Sequence, residues 1–230
     1  MRRPWLIGLG LAALLGATVG AAVAVGSAAT TWGDVYRVLG HRLLGLSTAP
    51  DPTIDRIVWR LRLPRAVLAC LVGGGLSIMG VAMQTLVRNP LAEPYILGIS
   101  SGASAGASLF YLGFLPPLLG KAVSMPAAAF AGGLMSITIV YLVARDGRRV
   151  SVPRLLLAGV AMSALMASIT SFVTFSSPDP GKLRAVLFWL LGSLSGARWG
   201  LLPLPALATA LGLGALLVLA RPLDALLVGE

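Results

Sequence analysis

The sequence predicts an all-α polytopic membrane protein, built as a transmembrane helical bundle. The chain of 230 residues is 57% hydrophobic and only 11% charged. Its mean hydropathy of +0.89 lies well above the range of soluble domains. Six stretches are long enough to cross a bilayer, which takes about 20 mostly apolar residues. They cover residues 5–29, 66–87, 94–115, 122–144, 155–175 and 199–220.

The charge and the cysteine content exclude several classes of protein. A net charge of +10 would suggest nucleic acid as a partner of a soluble protein, but here the basic residues separate long uncharged runs. We therefore expect membrane lipid and no nucleic acid. Cys70 lies in an apolar run and His41 in a polar segment, each the only residue of its type, so we expect no metal and no cofactor.

The first apolar stretch follows Met1, Arg2 and Arg3, and its "GSAA" end resembles a signal-peptide cleavage site. Its apolar core is longer than such peptides have, which favours a retained span and a cytoplasmic N-terminus. Residues 88–93 and 145–154 then lie in the cytoplasm, and the basic run "RDGRRVSVPR" agrees with the positive-inside rule. The outer segment 30–65 disagrees, since it carries six arginines against three aspartates, namely Arg37, Arg42, Arg56, Arg60, Arg62, Arg65, Asp34, Asp51 and Asp55.

An amphipathic segment is predicted on the outer surface over residues 31–60. Thr31 and Asp34 have the spacing of a capping box, and apolar residues follow at helical intervals. The pattern predicts a short helix lying on the membrane, which "STAPDP" ends before the second span.

Two arginines stand at the predicted beginning of the second span. Arg62 and Arg65 are three residues apart, with Pro64 between them. Cations at a helix N-terminus oppose the macrodipole, so their presence requires a reason. They contact lipid phosphates, or they receive an acidic partner from outside.

A charged turn, "LVRNPLAEP", separates the second and third spans. Asn89 and Glu93 each precede a proline, so the second span should end near Arg88, and Pro94 suits the first turn of the next helix. By composition alone, this stretch is an ordinary polar turn between two spans.

Small residues on both sides of the third span predict a helix buried among other helices. The stretch contains G-x-S-x-G, but a serine hydrolase needs a strand-to-helix turn and a histidine partner, so we expect no catalytic residue. The repeats are Gly98, Gly102 and Gly106 on one side and Ser100, Ser104 and Ser108 on the other.

The fifth span carries a polar stripe of Ser163, Thr170, Thr174 and Ser177. The stripe either lines a path for a polar solute or makes interhelical hydrogen bonds. No span has a charged residue near its middle, which argues against a proton- or sodium-coupled carrier. No GxxxxGK[ST] is present either, so we expect no ATP hydrolysis by this chain.

Four runs carry a resemblance to a known family: "RLPRAVLACLVGGGLSIMGVAMQTLVRNPLAEPYILGISSGASAGA", "RLLLAGVAMSALMAS", "LRAVLFWLLGSLSGARW" and "ARPLDALLVGE". Together they resemble the iron-siderophore, haem and cobalamin permeases of ABC importers. The resemblance implies the type II importer permease fold, located in the bacterial inner membrane. It also implies as partners a second permease subunit, two cytoplasmic ATPases and a periplasmic or lipid-anchored substrate-binding protein. A permease of this family is a transporter subunit and not an enzyme.

The resemblance also implies roles for particular residues. It makes Arg62 and Arg65 the docking site for the binding protein. It makes Asn89, Leu91, Ser151 and Val152 cytoplasmic gates, and the stripe from Ser163 to Ser177 part of the translocation path. Gly229 and Glu230 would begin the region that couples to the ATPases.

The family has about ten spans in two repeats, of which about six are present here. We therefore expect that the chain is truncated after the sixth span and lacks the C-terminal repeat and the coupling helices. Two alternatives to an importer subunit remain open: a nonfunctional or scaffold membrane protein, and a passive channel.

Overall fold

The computed structural model describes residues 4–47, 49–114, 124–147 and 149–228. This part of the chain is mostly helical, with one short hairpin and irregular connections. The helices are α1 (Pro4–Ala24), α2 (Trp32–Leu44), α3 (Pro52–Val87), α4 (Ile99–Leu112), α5 (Met125–Ala144), α6 (Val152–Phe175), α7 (Pro180–Leu190), α8 (Pro203–Val218) and α9 (Ala220–Val228). Single 3₁₀ turns precede α4 at Pro94–Leu97 and α8 at Trp199–Leu201, and strands β1 (Arg145–Asp146) and β2 (Arg149–Val150) pair antiparallel.

The chain forms two compact units. The first contains Met1–Leu76 with Leu194–Gly214, and the second contains Ser77–Ser193 with Ala215–Glu230. Each unit has its own apolar core. The core of the first unit joins the end of α1 to α2 and to the beginning of α3, through Val23, Ala24, Val35, Val38, Val58 and Ala66.

The capping box predicted for α2 is confirmed. The Thr31 hydroxyl oxygen accepts a hydrogen bond from the Asp34 N–H at 3.2 Å, and the Asp34 carboxylate accepts from the Thr31 N–H at 2.9 Å. The helix ends at Gly45, whose φ of 66° gives the left-handed conformation that glycine adopts without steric cost. Local sequence thus determines both ends of this helix.

The beginning of α3 differs from the prediction. The sequence places it near residue 66, whereas the structure begins it at Pro52, where the Asp51 carboxylate accepts from the Thr53 N–H at 2.7 Å. Proline after an aspartate is a helix-start pattern, and the sequence interpretation treated it only as a break. Arg62 and Arg65 therefore lie inside a helix of 36 residues, and the expectation that they stand at a helix N-terminus against the macrodipole was wrong.

A π-helical segment, Arg56–Arg62, lies within α3. Such segments change the direction in which side chains leave a helix and are frequent at functional sites. Arg56 and Arg60 of this segment are exposed, whereas Arg62 is half-buried.

The prediction that the third span is surrounded by protein is confirmed for α4, which packs against α5, α6 and α7. Gly102 on α4 and Gly132 on α5 meet backbone to backbone: a Cβ added to Gly102 would lie 2.5 Å from the Gly132 carbonyl oxygen. The Ser136 hydroxyl, fully buried, donates to the Gly98 carbonyl at 2.8 Å. Small side chains allow this approach, as the sequence pattern indicated.

Five helices of the described residues are long and apolar enough to cross a membrane: Trp5–Ala24, Pro52–Val87, Met125–Ala144, Val152–Phe175 and Trp199–Val218. The third predicted span differs. Gly98, with φ of 76°, separates the 3₁₀ turn from α4, and α4 has 14 residues. Its length of about 21 Å is less than the hydrocarbon thickness.

Candidate functional site

The turn predicted as the first gate ends α3 as the sequence indicated. Arg88 has φ of 54°, the only positive φ outside glycine in the described residues. This left-handed residue closes the helix in the way that glycine usually does, because the Asn89 N–H then reaches back to the Gln84 carbonyl at 3.1 Å. A left-handed arginine costs about 1 kcal/mol or more, so the turn stores backbone strain.

The two predicted gate residues of this turn adopt different roles. The Asn89 side-chain oxygen accepts from the Leu91 N–H at 2.9 Å, an Asx turn that fixes the backbone through Pro90. The Leu91 side chain is 82% exposed. An apolar side chain held outward by a rigid turn is a surface that another chain can cover.

The 3₁₀ turn after this gate packs closely on α6. A Cβ on Gly159 would overlap the Ile96 carbonyl oxygen, so only glycine permits this contact. Leu97 is buried in the same core cluster as Leu155, which lies one turn inside α6. The first predicted gate is therefore anchored to α6, the helix that begins at the second predicted gate.

The second predicted gate is the end of the β1–β2 hairpin. Ser151 caps α6 with its backbone, without a side-chain hydrogen bond, and its N–H donates to the Ala144 carbonyl at 3.4 Å. Ser151 and Val152 are both half-buried. Arg154, at the start of α6, forms an exposed ion pair with Asp146 of the hairpin at 3.1 Å. The ion pair thus joins the hairpin to α6 across the predicted gate.

The predicted polar stripe is divided by the structure. Ser163 faces Gly98, with its hydroxyl 3.3 Å from where a Cβ of that glycine would lie. The Thr170 hydroxyl donates to the Met166 carbonyl of its own helix at 2.9 Å. The Thr174 hydroxyl is buried without a hydrogen-bond partner among the described residues, and Ser177 lies beyond the end of α6.

Arg62 lies against the end of α1. Its guanidinium donates to the carbonyls of Val23 at 3.0 Å, Ala24 at 2.8 Å and Ala28 at 2.6 Å, and to the Thr30 hydroxyl at 2.6 Å. A cation there is favourable, because the last carbonyls of a helix lack partners and carry partial negative charge. Arg62 therefore holds α1 and the following loop onto α3.

Arg65 is exposed and contacts a different segment. Its Nη2 donates to the Ser195 carbonyl at 3.2 Å. The Trp199 indole makes a second link, donating to the Trp59 carbonyl at 2.8 Å, and the two indole rings lie with their centroids 5.0 Å apart. Residues 194–199 are thereby fixed to α3 within the first unit.

The sequence interpretation missed an ion pair beside these arginines. Arg42 of α2 binds Asp55 of α3 through two hydrogen bonds, Nε to Oδ1 at 3.0 Å and Nη2 to Oδ2 at 2.6 Å. The Arg42 guanidinium also lies 5.9 Å from the centre of the Trp59 ring. The surplus of arginine was visible in the sequence, but thirteen residues separate this pair and no spacing rule connects them.

Two further expectations concern the coupling region and metal binding. Gly229 and Glu230, the predicted start of the coupling region, lie outside the described residues. In the described parts of the chain, no three His, Cys, Asp or Glu side chains gather where they could hold a metal ion.

Comparison with known proteins gives consistent results. The profile of the FecCD transport family matches residues 11–230. The achromobactin transport system permease protein CbrC of Dickeya dadantii is 50% identical over 143 residues, 62% of this chain and 40% of the relative. The cobalamin import system permease protein BtuC of Halobacterium salinarum is 38% identical over 178 residues, 77% of this chain and 47% of the relative.

A solved metal-chelate type ABC transporter in an inward-facing conformation has a similar structure. Its TM-score is 0.76 at 27% identity, over 96% of this chain and 64% of that chain. The chain spans about half the length of the curated relatives it matches. With five helices that can cross a membrane, the chain is a multi-pass membrane protein with the fold of an ABC transporter permease.

Proposed function

The chain belongs to the FecCD transport family, and from this premise we propose that it is part of the permease subunit of an ATP-driven importer. The importer moves a metal chelate, in our proposal an iron–siderophore complex, across the bacterial inner membrane, with the N-terminus in the cytoplasm. The observation that carries the proposal is the family match over residues 11–230. The relative named for achromobactin transport and the solved metal-chelate transporter support this substrate class, and the cobalamin relative supports cobalamin as the alternative.

The proposed partners follow from the same premise. A second permease subunit completes the path, two cytoplasmic ATPases hydrolyse ATP, and a substrate-binding protein delivers the chelate outside. The chain itself catalyses no covalent step. Nucleotide binding drives the change between states because the ATPases bind ATP with different affinity in each.

We propose that Arg62 and Arg65 both belong to the docking surface for the binding protein, with different parts. Arg65 is exposed and offers its remaining donors to an acidic side chain. Arg62 is half-buried and bonded to three backbone carbonyls, so it holds the surface in shape. The difference in exposure predicts that Arg65→Gln weakens docking without loss of stability. Arg62→Gln should lower both the docking affinity and the stability.

Two turns are proposed as cytoplasmic gates. Asn89 and Leu91 belong to the first, and Ser151 and Val152 to the second. The outward Leu91 side chain supports contact with another subunit. The coupling region beginning at Gly229 and Glu230 is proposed from the resemblance alone.

The stripe of Ser163, Thr170, Thr174 and Ser177 is proposed to face the path in the dimer. All four residues are half-buried in the single chain, although the Thr174 hydroxyl itself is buried. Replacing Thr170 and Thr174 with Val removes two hydroxyls and nearly preserves volume. Impaired uptake by a fully assembled complex would support the path, and lost assembly would support interhelical contact instead.

Uptake by proteoliposomes tests the function. The chain is reconstituted with its ATPase and with binding protein loaded with ⁵⁵Fe–siderophore, and an ATPase that cannot hydrolyse ATP is the control. Uptake that needs both ATP and the binding protein supports the importer. Uptake indifferent to both would indicate a passive channel, and assembly without uptake would indicate a scaffold.

A further inference from the structure

Helix α2 carries an apolar stripe that the described residues of the first unit leave uncovered. Trp32, Tyr36 and Leu43 are 50%, 69% and 64% exposed. At 3.6 residues per turn, these three positions lie within about 40° of one another around the helix. Val35 and Val38, which bury α2 in the core of the first unit, point about 100° away from them. We call Trp32, Tyr36 and Leu43 the α2 stripe.

The α2 stripe has the chemistry of a membrane–water interface. Among the described residues, neither the Trp32 indole N–H nor the Tyr36 hydroxyl has a hydrogen-bond partner. Each side chain thus combines an apolar ring with a free polar tip, which is the combination enriched where acyl chains meet headgroups. Beside the stripe, the Arg37 side chain is 63% exposed and lies 3.6 Å from the Asp34 carboxylate.

The contact between Trp32 and α1 gives the depth of the α2 stripe. A Cβ added to Gly20 would lie 3.2 Å from Cζ3 of Trp32. The span Trp5–Ala24 has 20 residues, so its length of about 30 Å equals the hydrocarbon thickness of a bilayer. Gly20 precedes the end of this span by four residues, or about 6 Å along the helix axis. The Trp32 ring therefore lies beside the part of α1 that is inside the hydrocarbon, close to its border.

The extent of the exposed surface favours lipid over another protein. With Leu44 and Leu46, α2 and its end expose five large apolar side chains. A stable protein interface takes about 20–30 residues on each partner. The stripe also continues onto α1, where only 6% of the membrane-spanning window is buried. Such a narrow surface, joined to a helix that faces lipid, is suited to the edge of the bilayer.

We propose that α2 is an interfacial helix, with Trp32, Tyr36 and Leu43 inserted among phospholipid acyl chains near the glycerol groups. Arg37, on the neighbouring face, reaches the headgroup phosphates, which guanidinium groups bind through charge-assisted hydrogen bonds. The inference does not depend on the transported substrate. Only the side of the membrane follows from the proposed orientation, in which a cytoplasmic N-terminus places α2 in the outer leaflet.

This arrangement makes α2 a link between the bilayer and the beginning of α3. Arg42 of α2 holds Asp55 of α3 through two hydrogen bonds, on a different face from the α2 stripe. Lipid therefore fixes the height of α2, and the ion pair passes that constraint to α3. The beginning of α3 is held relative to the membrane surface although it precedes the apolar part of that helix.

Spin labels on neighbouring residues test the proposal. Cys70 is the only cysteine of the chain, so Cys70→Ala gives a background for single cysteines. Tyr36→Cys and Leu43→Cys place a nitroxide on the α2 stripe, and Arg37→Cys is the matched control. The labelled chains are reconstituted in phosphatidylcholine nanodiscs, and collision rates are measured with oxygen, which concentrates in lipid, and with a water-soluble nickel chelate.

The bilayer should separate positions that are almost equally exposed in the protein alone. Tyr36 and the Arg37 side chain are 69% and 63% exposed. We expect the ratio of oxygen to nickel collisions to be several-fold higher at residues 36 and 43 than at residue 37. Equal ratios at all three positions would place the stripe in water and overturn the proposal. Protection of residues 36 and 43 from both reagents would mean that protein covers the stripe, which would also overturn it.

Fluorescence of the unlabelled chain guards against distortion by the labels. Trp32→Phe keeps an apolar ring, so the emission that this change removes belongs to Trp32. Phosphatidylcholine brominated near the ester end of its chains should quench that emission more strongly than lipid brominated near the terminal methyl. No quenching by either lipid would contradict insertion. Stronger quenching from the terminal methyl would contradict a position at the interface.

Discussion

Gly102 and Gly132 meet with their backbones in contact, so that a methyl group on Gly102 would stand 2.5 Å from the Gly132 carbonyl oxygen. No side chain can move aside there, because the obstructing atom belongs to the backbone. Gly102→Ala should lower the free energy of unfolding in mixed micelles by about 1–3 kcal/mol, through separation of α4 from α5.

Gly80→Ala is the matched control for this contact. Gly80 lies within α3 and has no atom within 4 Å of its hypothetical Cβ. Alanine there should leave stability unchanged or raise it by up to about 1 kcal/mol, because it favours the helix. Equal losses at both positions would show that the close approach of α4 and α5 does not determine stability.

Arg62→Gln should release the end of α1. The variant loses most of the hydrogen bonds to the carbonyls of Ala24 and Ala28, so we expect the free energy of unfolding to fall by about 2 kcal/mol. Faster hydrogen exchange over residues 25–30 is the local measurement. Arg56→Gln, at an exposed arginine of the same helical segment, should leave that exchange unchanged. Equal hydrogen-exchange rates over residues 25–30 in both variants would refute the anchoring of α1 by Arg62.

Arg88→Gly should stabilise the protein by about 1 kcal/mol, because glycine adopts the φ of 54° found there without steric cost. Arg88→Val should destabilise the protein, since a β-branched side chain is more restricted than arginine in the left-handed region. Thermal unfolding in detergent gives both values. A glycine variant less stable than the wild type would mean that the arginine side chain contributes more than the strain costs.

Thr31→Ala should destabilise α2 by about 1 kcal/mol through loss of its cap. Hydrogen bonds from the Thr31 backbone and hydroxyl lower the pKa of Asp34 below its usual 3.8. The folded value is the lower one, so this stabilisation is present above the unfolded pKa and is lost as pH falls through the folded pKa. Circular dichroism between pH 6 and about pH 2 should show a smaller acid-induced loss of helix in Asp34→Asn than in the wild type.

Much of the fold follows from local pattern in the sequence. Apolar length predicted the five helices that are long and apolar enough to cross a membrane but not the short α4, capping chemistry predicted α2, and glycine spacing predicted the burial of α4. The turn after Val87 was predicted from two prolines. Each of these features depends on a continuous stretch of sequence, where spacing along the chain determines geometry.

The remaining features depend on contacts between distant segments. Arg62 reaches carbonyls 34–39 residues earlier in the chain, and Trp199 bonds to a carbonyl 140 residues before it. Backbone carbonyls have no sequence signature, so no pattern could reveal that Arg62 is bonded internally while Arg65 is exposed. The missed start of α3 is a different error, since the Asp-Pro signal was present at Asp51 and Pro52.

The shared core of Leu97 and Leu155 has a consequence for how the proposed gates work. Because Gly159 leaves no gap beside the Ile96 carbonyl, the turn after Leu91 cannot shift without carrying α6, and α6 begins at the other gate. We therefore expect the two proposed gates to move together. In our proposal, the cytoplasmic end of the path in the dimer therefore has two settings, one with both turns displaced and one with neither displaced.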